Sequence, residues 1–286
     1  MTMARPLSVH DHRRDAAGFT YVYPVVSRRA GGISVGINLN PNNACNWRCI
    51  YCQVEGLRRG AAPPLNEDRL RSELTTMLTD IEKGTFYHRF QVPEPFRRLR
   101  DVAISGNGEP TTLSNFDAAV AAVAAVLTES RPLPPLKKVI ISNGSQVHRT
   151  AVRRGLALWG EMGGELWFKV DRVTPAGIRR INGAAMNPQR LLSHLETAAA
   201  CCPVWLQTCL FAIDGRPPAA DECQAYLDFL ATLRQRRIPL RGVMLYGLAR
   251  PSRQPEATRL TPVPEAWLAD FGERVRRQGW TVKITP

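Results

Sequence analysis

The chain has 286 residues, 44% of them hydrophobic, and 38 Lys and Arg against 25 Asp and Glu for a formal charge of +13. No stretch comes near the roughly 18 uninterrupted apolar residues that a membrane helix needs, so no membrane association is expected. The start, "MTMARPLSVHDHRRDAAGF", carries an Arg pair with no apolar run behind it, so neither a secretory nor a twin-arginine signal is read and a cytosolic (cytoplasmic) protein is expected.

Short β-type runs then alternate with longer helical ones. "GGISVGINLN" (31–40) reads as a strand, and a cysteine-bearing loop follows it. A helix near 66–83 places Leu70, Leu74, Met77, Leu78 and Ile81 at helical spacing. "RDVAISG" (100–106) is a second strand, followed by an Ala-rich helix at 113–128. "KKVIISNG" (137–144) is a third, with a helix near 147–160, and "ELWFKVD" (165–171) is a fourth, with helical pieces near 174–181 and 188–201. "VWLQTCLFAI" (204–213) and helix 219–236 make the fifth unit, and "LRGVMLYGLA" (240–249) is the sixth strand. A helix at about 264–278 and the strand-like "WTVKIT" close the chain.

Strands separated by helices imply an α/β fold with a parallel sheet. Six β/α units fall short of a full eight-unit barrel; a three-quarter barrel and an open doubly wound sheet fit the periodicity equally. Pro-rich breaks at 61–64, 93–95, 132–135, 217–218 and 251–264 read as loops within one unit. A single domain over 1–286 is therefore expected, with its core at about 21–250 and a C-terminal helix and strand at 264–286.

Seven cysteines, an odd number, argue against a disulfide framework. Three of them, Cys45, Cys49 and Cys52, lie in "NNACNWRCIYCQVEG" (42–56), directly after the first strand. Loops at the carboxyl ends of parallel strands carry the active sites of such folds. Offsets of four and three let one loop wrap its thiolates around a point, and soft thiolates favour zinc, Cu(I) or an iron–sulfur cluster. Zinc sites usually take four protein ligands, and the nearest His, His88, lies on another segment. A [4Fe–4S] cluster also normally takes four thiolates; with three, one iron keeps an open position. Three incidental core cysteines, or part of a zinc knuckle, are the plain alternatives. The other four, Cys201, Cys202, Cys209 and Cys223, read as buried packing residues rather than an auxiliary cluster.

The C-x3-C-x2-C spacing, with the aromatic Tyr51 before the last Cys, resembles the signature of the radical SAM superfamily. The resemblance implies a partial (β/α)6 TIM-type barrel and a [4Fe–4S] cluster whose open iron binds S-adenosyl-L-methionine (SAM). Reductive cleavage of SAM to a 5′-deoxyadenosyl radical then permits hydrogen abstraction. It also implies a reductant protein of the flavodoxin or ferredoxin type. "SGNGEPT" (105–111) resembles the superfamily's G-G-E-P motif, with an Asn inserted: Gly106, Asn107, Gly108, Glu109 and Pro110 would approach the methionyl amino group. Ser142 and Asn143 resemble a T-N-G found after the third strand, and suit a simple turn equally well. Lys169 and Asp171 share one strand face and would contact the ribose or carboxylate of SAM; a structural Lys–Asp pair is the alternative.

In "ISVGINLN", Ile33, Val35, Ile37 and Leu39 alternate with Ser34, Gly36, Asn38 and Asn40. If the apolar set faces the helices, the polar set faces the barrel interior. Asn38, Asn40, Tyr246 and Arg250 are then candidates for the substrate side, although Tyr246 also suits a core and Arg250 a surface.

Over about 21–250 the sequence resembles compact proteins grouped with wyosine-type tRNA-modifying enzymes. It departs from them in showing no flavodoxin-like segment, no cysteine cluster before Cys45 and no wyosine-type extension, so the resemblance carries over the SAM machinery and not the reaction. Three expectations stand: an enzyme acting on tRNA or other RNA, which the positive charge suits; an enzyme acting on a small molecule or peptide; and a non-catalytic zinc or iron–sulfur module.

Overall fold

The computed structural model describes residues 6–8, 16–27, 30–130 and 136–286; the Arg pair near the start and the Pro-rich stretch 132–135 fall outside them. Eight strands form one sheet: β1 (Val22–Ser27), β2 (Gly32–Ile37), β3 (Leu99–Ile104), β4 (Lys137–Ser142), β5 (Glu165–Lys169), β6 (Val204–Cys209), β7 (Leu240–Tyr246) and β8 (Val282–Thr285). They lie side by side in chain order. Only β1 runs antiparallel, against β2; every other pairing is parallel. The crossovers are α1 (Glu67–Glu82), α2 (Phe116–Glu129), α3 (Thr150–Glu161), α4 (Pro175–Asn182), α5 (Pro188–Cys201), α6 (Ala220–Gln235) and α7 (Glu265–Arg277). Six parallel units in unbroken order, with edges that do not pair, are an open partial barrel rather than a doubly wound sheet.

Local chemistry starts and stops the helices. Asn66 caps α1 by accepting from Arg69 N, with Glu67 and Asp68 in the first turn. Thr174 caps α4 ahead of Pro175, and Gly183 ends it in the left-handed region at φ +57°. The strands alternate as their sequence implies. Ile33, Val35 and Ile37 are fully buried in the main core with α1 residues Leu70, Leu74 and Met77, each worth about 1.5–3 kcal/mol of burial. Ser34 instead donates to Asp101 across the inner face.

Two features depart from the sequence reading. β1 adds an edge strand that the six-unit count lacks. The run 204–213 is not one strand: β6 ends at Cys209, Leu210 N donates to Tyr246 O at 2.9 Å, and Phe211–Ile213 leaves the sheet to pair with Leu260–Pro262.

The lower interior of the barrel is filled. Ala103, Val139, Trp167, Trp205 and Met244 form a separate cluster. Glu165 accepts from both indoles, at 2.7 Å from Trp167 and 3.1 Å from Trp205. Lys283 lies 3.8 Å from the centre of the Trp205 ring. The polar side chains of Asn38, Asn40, Lys169 and Asp171 lie toward the other end, where the strands finish.

Candidate functional site

The cysteine loop leaves β2 and is gripped from four directions. Just past the end of β2, Asn38 Oδ1 accepts Asn40 N at 3.1 Å and Asn107 N at 2.9 Å. Asn40 Nδ2 donates to Ala44 O at 2.9 Å. Its Oδ1 is buried with no hydrogen-bond partner, an acceptor that ordinarily finds one.

The second grip is the loop after β3. A Cβ on Gly106 would collide with Asn38, and one on Gly108 with Ala44 O; no larger residue could lie this flush against the cysteine loop. Asn107 Nδ2 donates to Asn43 Oδ1 at 2.7 Å. Glu109 is almost fully buried. Its carboxylate accepts from the Thr111 hydroxyl, Thr111 N at 3.1 Å, the Ser142 hydroxyl at 2.7 Å and Asn143 N at 2.7 Å. Burial raises its pKa, while the Asn143, Thr111 and Ser142 hydrogen bonds oppose the shift. Glu109 thus ties the loop after β3, which continues through Pro110, to the end of β4. Asn143 extends the tie to the cysteine loop, donating to Asn46 Oδ1 at 2.9 Å. Arg149 braces the same loop through the carbonyls of Thr111, Leu113 and Ser114.

The third grip is the end of α4. Arg48 N and Ile50 N donate to the carbonyls of Asn182 and Ile181, both at 2.9 Å. The fourth is the segment after β7: Ser252 Oγ donates to Ile50 O at 2.7 Å, Arg253 N to Cys52 O at 2.9 Å, and Gln254 Nε2 to Val54 O at 2.9 Å. Arg48 pairs with Glu256 at 2.8 Å. Arg250 joins through its carbonyl, which accepts Gln53 Nε2 at 3.4 Å.

Asp171 sits at the centre. Its carboxylate accepts from the Tyr51 hydroxyl, Asn182 Nδ2 at 2.7 Å and Cys209 N at 2.9 Å. Both oxygens are therefore engaged by protein groups. Lys169, two residues earlier, points between two aromatic rings: its Nζ lies 4.9 Å from the Tyr51 ring centre and donates to the Tyr246 hydroxyl at 3.1 Å. Burial works against its charge, but Tyr246 and Asp171 outweigh that and hold Lys169 above the ordinary lysine range. Burial also pushes up the Tyr51, Tyr246 and Cys209 groups.

Cys45, Cys49 and Cys52 are free, half-buried thiols. Burial raises Cys45 to about 12, with Glu109 adding to the rise, and raises Cys49 to about 12 against the pull of Lys169. Two of the sulfurs already accept hydrogen bonds: Cys45 from Trp47 N at 3.4 Å and Cys49 from Asn182 Nδ2 at 3.2 Å. Among the described residues, no three His, Cys, Asp or Glu side chains are drawn tightly enough together to hold a metal by themselves.

The structure thus brings the cysteines, Tyr51, Gly106–Pro110, Ser142, Asn143, Lys169, Asp171, Asn38, Asn40 and Tyr246 to one end of the barrel. Sequence reasoning missed Asn182, Arg149, Ser252 and Gln254. Cys209 is the buried packing residue it was read as, in a cluster with Ile50, Tyr51, Ile181 and Phe211, and its backbone N–H in addition serves Asp171. Asn182 stands in an N-G pair that signals only a helix end, and no local pattern marks the others.

No protein-family model matches the chain. Two curated relatives do: the UPF0026 protein of Helicobacter pylori, 23% identical over 220 residues (76% of this chain, 64% of that protein), and the GTPase Obg of Brachyspira hyodysenteriae, 27% identical over 138 residues (47% and 17%). Among solved structures, Streptococcus suis SuiB bound to its precursor peptide SuiA has a TM-score of 0.58 at 11% identity, covering 90% of this chain and 49% of SuiB. TYW1 with a lysine-pyruvate adduct has 0.55 at 14%, covering 85% and 73%. The enzyme anSMEcpe with bound AdoMet has 0.51 at 13%, covering 87% and 62%. These three are radical SAM enzymes, and the chain has their fold.

Proposed function

We propose that this chain, whose fold is that of the radical SAM enzymes, is itself one of them. The observation that carries the reading is the placement of Cys45, Cys49 and Cys52 at the end of the first parallel strand, gripped by loops from β3, α4 and β7. Three soft donors without a fourth protein ligand suit three irons of a [4Fe–4S] cluster, and the unpartnered Asn40 Oδ1 suits an amino group arriving beside Gly108. Cluster and SAM together supply reductive cleavage of the sulfonium and hydrogen-atom abstraction from a substrate.

The remaining roles belong to the chain. Cys45 and Cys49 give up protons on binding metal, since burial otherwise keeps them protonated. The backbone of Gly106–Pro110 would hold the amino group of SAM, with Ser142 and Asn143 behind it through Glu109. Lys169 keeps its ammonium, favoured by Tyr246 and Asp171, and would meet the ribose or carboxylate of SAM. Asn38, Tyr246 and Arg250 border the substrate side. Electrons come from a flavodoxin- or ferredoxin-type protein.

Anaerobic reconstitution with iron and sulfide, then dithionite and SAM, tests this. The expected outcome is four irons per chain and 5′-deoxyadenosine release, both lost in Cys49→Ala. Tightly bound zinc, or no SAM cleavage by an iron-loaded protein, refutes it and leaves a non-catalytic metal module.

For the substrate, RNA is favoured over a small molecule or peptide. The charge of +13 supports this. So do the exposed Arg58, Arg179, Arg190 and Arg253 on the cysteine loop and on the segments near it. Arg179 and Arg190 line one groove of about 250 Å³. Binding to tRNA should weaken steeply as salt rises; no binding, or affinity indifferent to salt, refutes RNA.

A further inference from the structure

We infer that Asn182 sets the reduction potential of the metal centre on the cysteine loop by donating a hydrogen bond to the sulfur of Cys49. The inference rests on the function proposed above. Asn182 is 1% exposed and is the last residue of α4. The chain turns at Gly183, where a Cβ would lie 3.0 Å from Arg48 O. That turn presses the end of α4 onto the loop. The two backbone bonds from Arg48 N and Ile50 N bracket Cys49, so its position does not depend on the Asn182 side chain.

That side chain does something else. Nδ2 donates to Asp171 Oδ2 at 2.7 Å and to Cys49 Sγ at 3.2 Å. Both partners are acceptors, so the amide cannot be turned over without aiming its oxygen at a carboxylate. Asp171 is itself held by the Tyr51 hydroxyl and Cys209 N. The N–H is therefore pre-aimed at the sulfur in a buried, low-dielectric setting.

Hydrogen bonds to cysteine sulfur are one of the levers that set iron–sulfur potentials. A donor stabilises the more negative, reduced state and so raises the potential. Trp47 N plays the same part at Cys45, from the backbone. Asn182 supplies the side-chain donor, and it can be removed by mutation.

The test uses the full chain, reconstituted anaerobically as wild type, Asn182→Ala and Asn182→Ser. Neither replacement reaches the sulfur, and the second covers a failure of the first to fold. Iron and sulfide content are measured, then the midpoint potential by EPR-monitored redox titration. The expected result is wild-type iron content with the reduced-to-oxidised ratio at a fixed poise lowered about tenfold, equal to about 59 mV for one electron. A fully loaded variant whose ratio stays within about threefold of wild type overturns the inference. So does a variant that loses iron while its remaining clusters keep the wild-type midpoint, because Asn182 is then only structural. A wild-type chain that assembles no four-iron cluster is a different failure: it removes the proposed function and this inference with it.

Discussion

Asp171→Asn is the sharpest probe of how the site is held together. The carboxylate serves three donors, two on Oδ2 (Tyr51 hydroxyl and Asn182 Nδ2) and one on Oδ1 (Cys209 N). An amide keeps one oxygen. With that oxygen on the side of Tyr51 and Asn182, the new NH2 faces the Cys209 N–H and strands a buried backbone donor, costing about 1–3 kcal/mol. The two surviving bonds drop from charged to neutral acceptor, each losing roughly 1 kcal/mol. Relief from burying a charge returns part of this. A net loss of about 3 kcal/mol is expected, a large fraction of the roughly 5–15 kcal/mol that holds a domain together. Urea denaturation of the metal-free protein, followed by tryptophan fluorescence, would show a lower midpoint with an unchanged slope. Tyr51→Phe in the same background should cost less than it does in wild type, because its acceptor is already weakened. A midpoint shift worth less than about 1 kcal/mol, or strict additivity with Tyr51→Phe, would refute the view that Asp171 organises the loop.

Three other outcomes follow from the same geometry. In metal-free protein Cys45 and Cys49, raised to about 12, have about one thiolate in ten thousand at pH 8; iodoacetamide labelling of both should be slow and rise about tenfold per pH unit, and rapid labelling at pH 8 contradicts their burial. Gly144 lies at φ +67° where a Cβ would collide with the Phe168 ring, whereas a Cβ on Gly163, at φ +74°, would meet open space; Gly144→Ala should therefore destabilise well beyond Gly163→Ala, by about 1–3 kcal/mol more, read as the larger fall in Tm, and equal shifts would show that the ring yields. Burial, with Arg190 and His148 adding, holds His194 below the ordinary imidazole range, while its bond to Gly144 O opposes the shift. Its folded pKa is thus below its unfolded one, so the stability it contributes is present above the ordinary value and lost as pH falls through the lowered one; the decline in Tm on acidification should flatten in His194→Gln, and an unchanged decline assigns it to other groups.

The fold and the centre of the site were legible in the chain because they are written in short-range pattern. The spacing of Cys45, Cys49 and Cys52 lies within one loop, the alternation of Ile33, Val35 and Ile37 within one strand, and the closely packed glycines at 106 and 108 within one turn. The sequence order of the β/α units also limits the topology, since short crossovers place consecutive parallel strands side by side. β1 escaped because a Pro-containing edge strand, "VYPVVS", carries a weak pattern.

What holds the loop had to wait for the tertiary structure. Tyr51 and Asp171 are 120 residues apart, Asn182 and Cys49 are 133 apart, and Ser252 and Ile50 are 202 apart. No periodicity links such pairs. Asp171 read as a ligand-facing residue or half of a Lys–Asp pair, and only the closed arrangement shows both its oxygens engaged by Tyr51, Asn182 and Cys209. The sequence by itself determined which three thiols share one loop and which strand that loop follows. Tertiary structure decided which donors and charges surround them, because hydrogen bonds act over about 3 Å and only the curling of the sheet brings such distant residues that close.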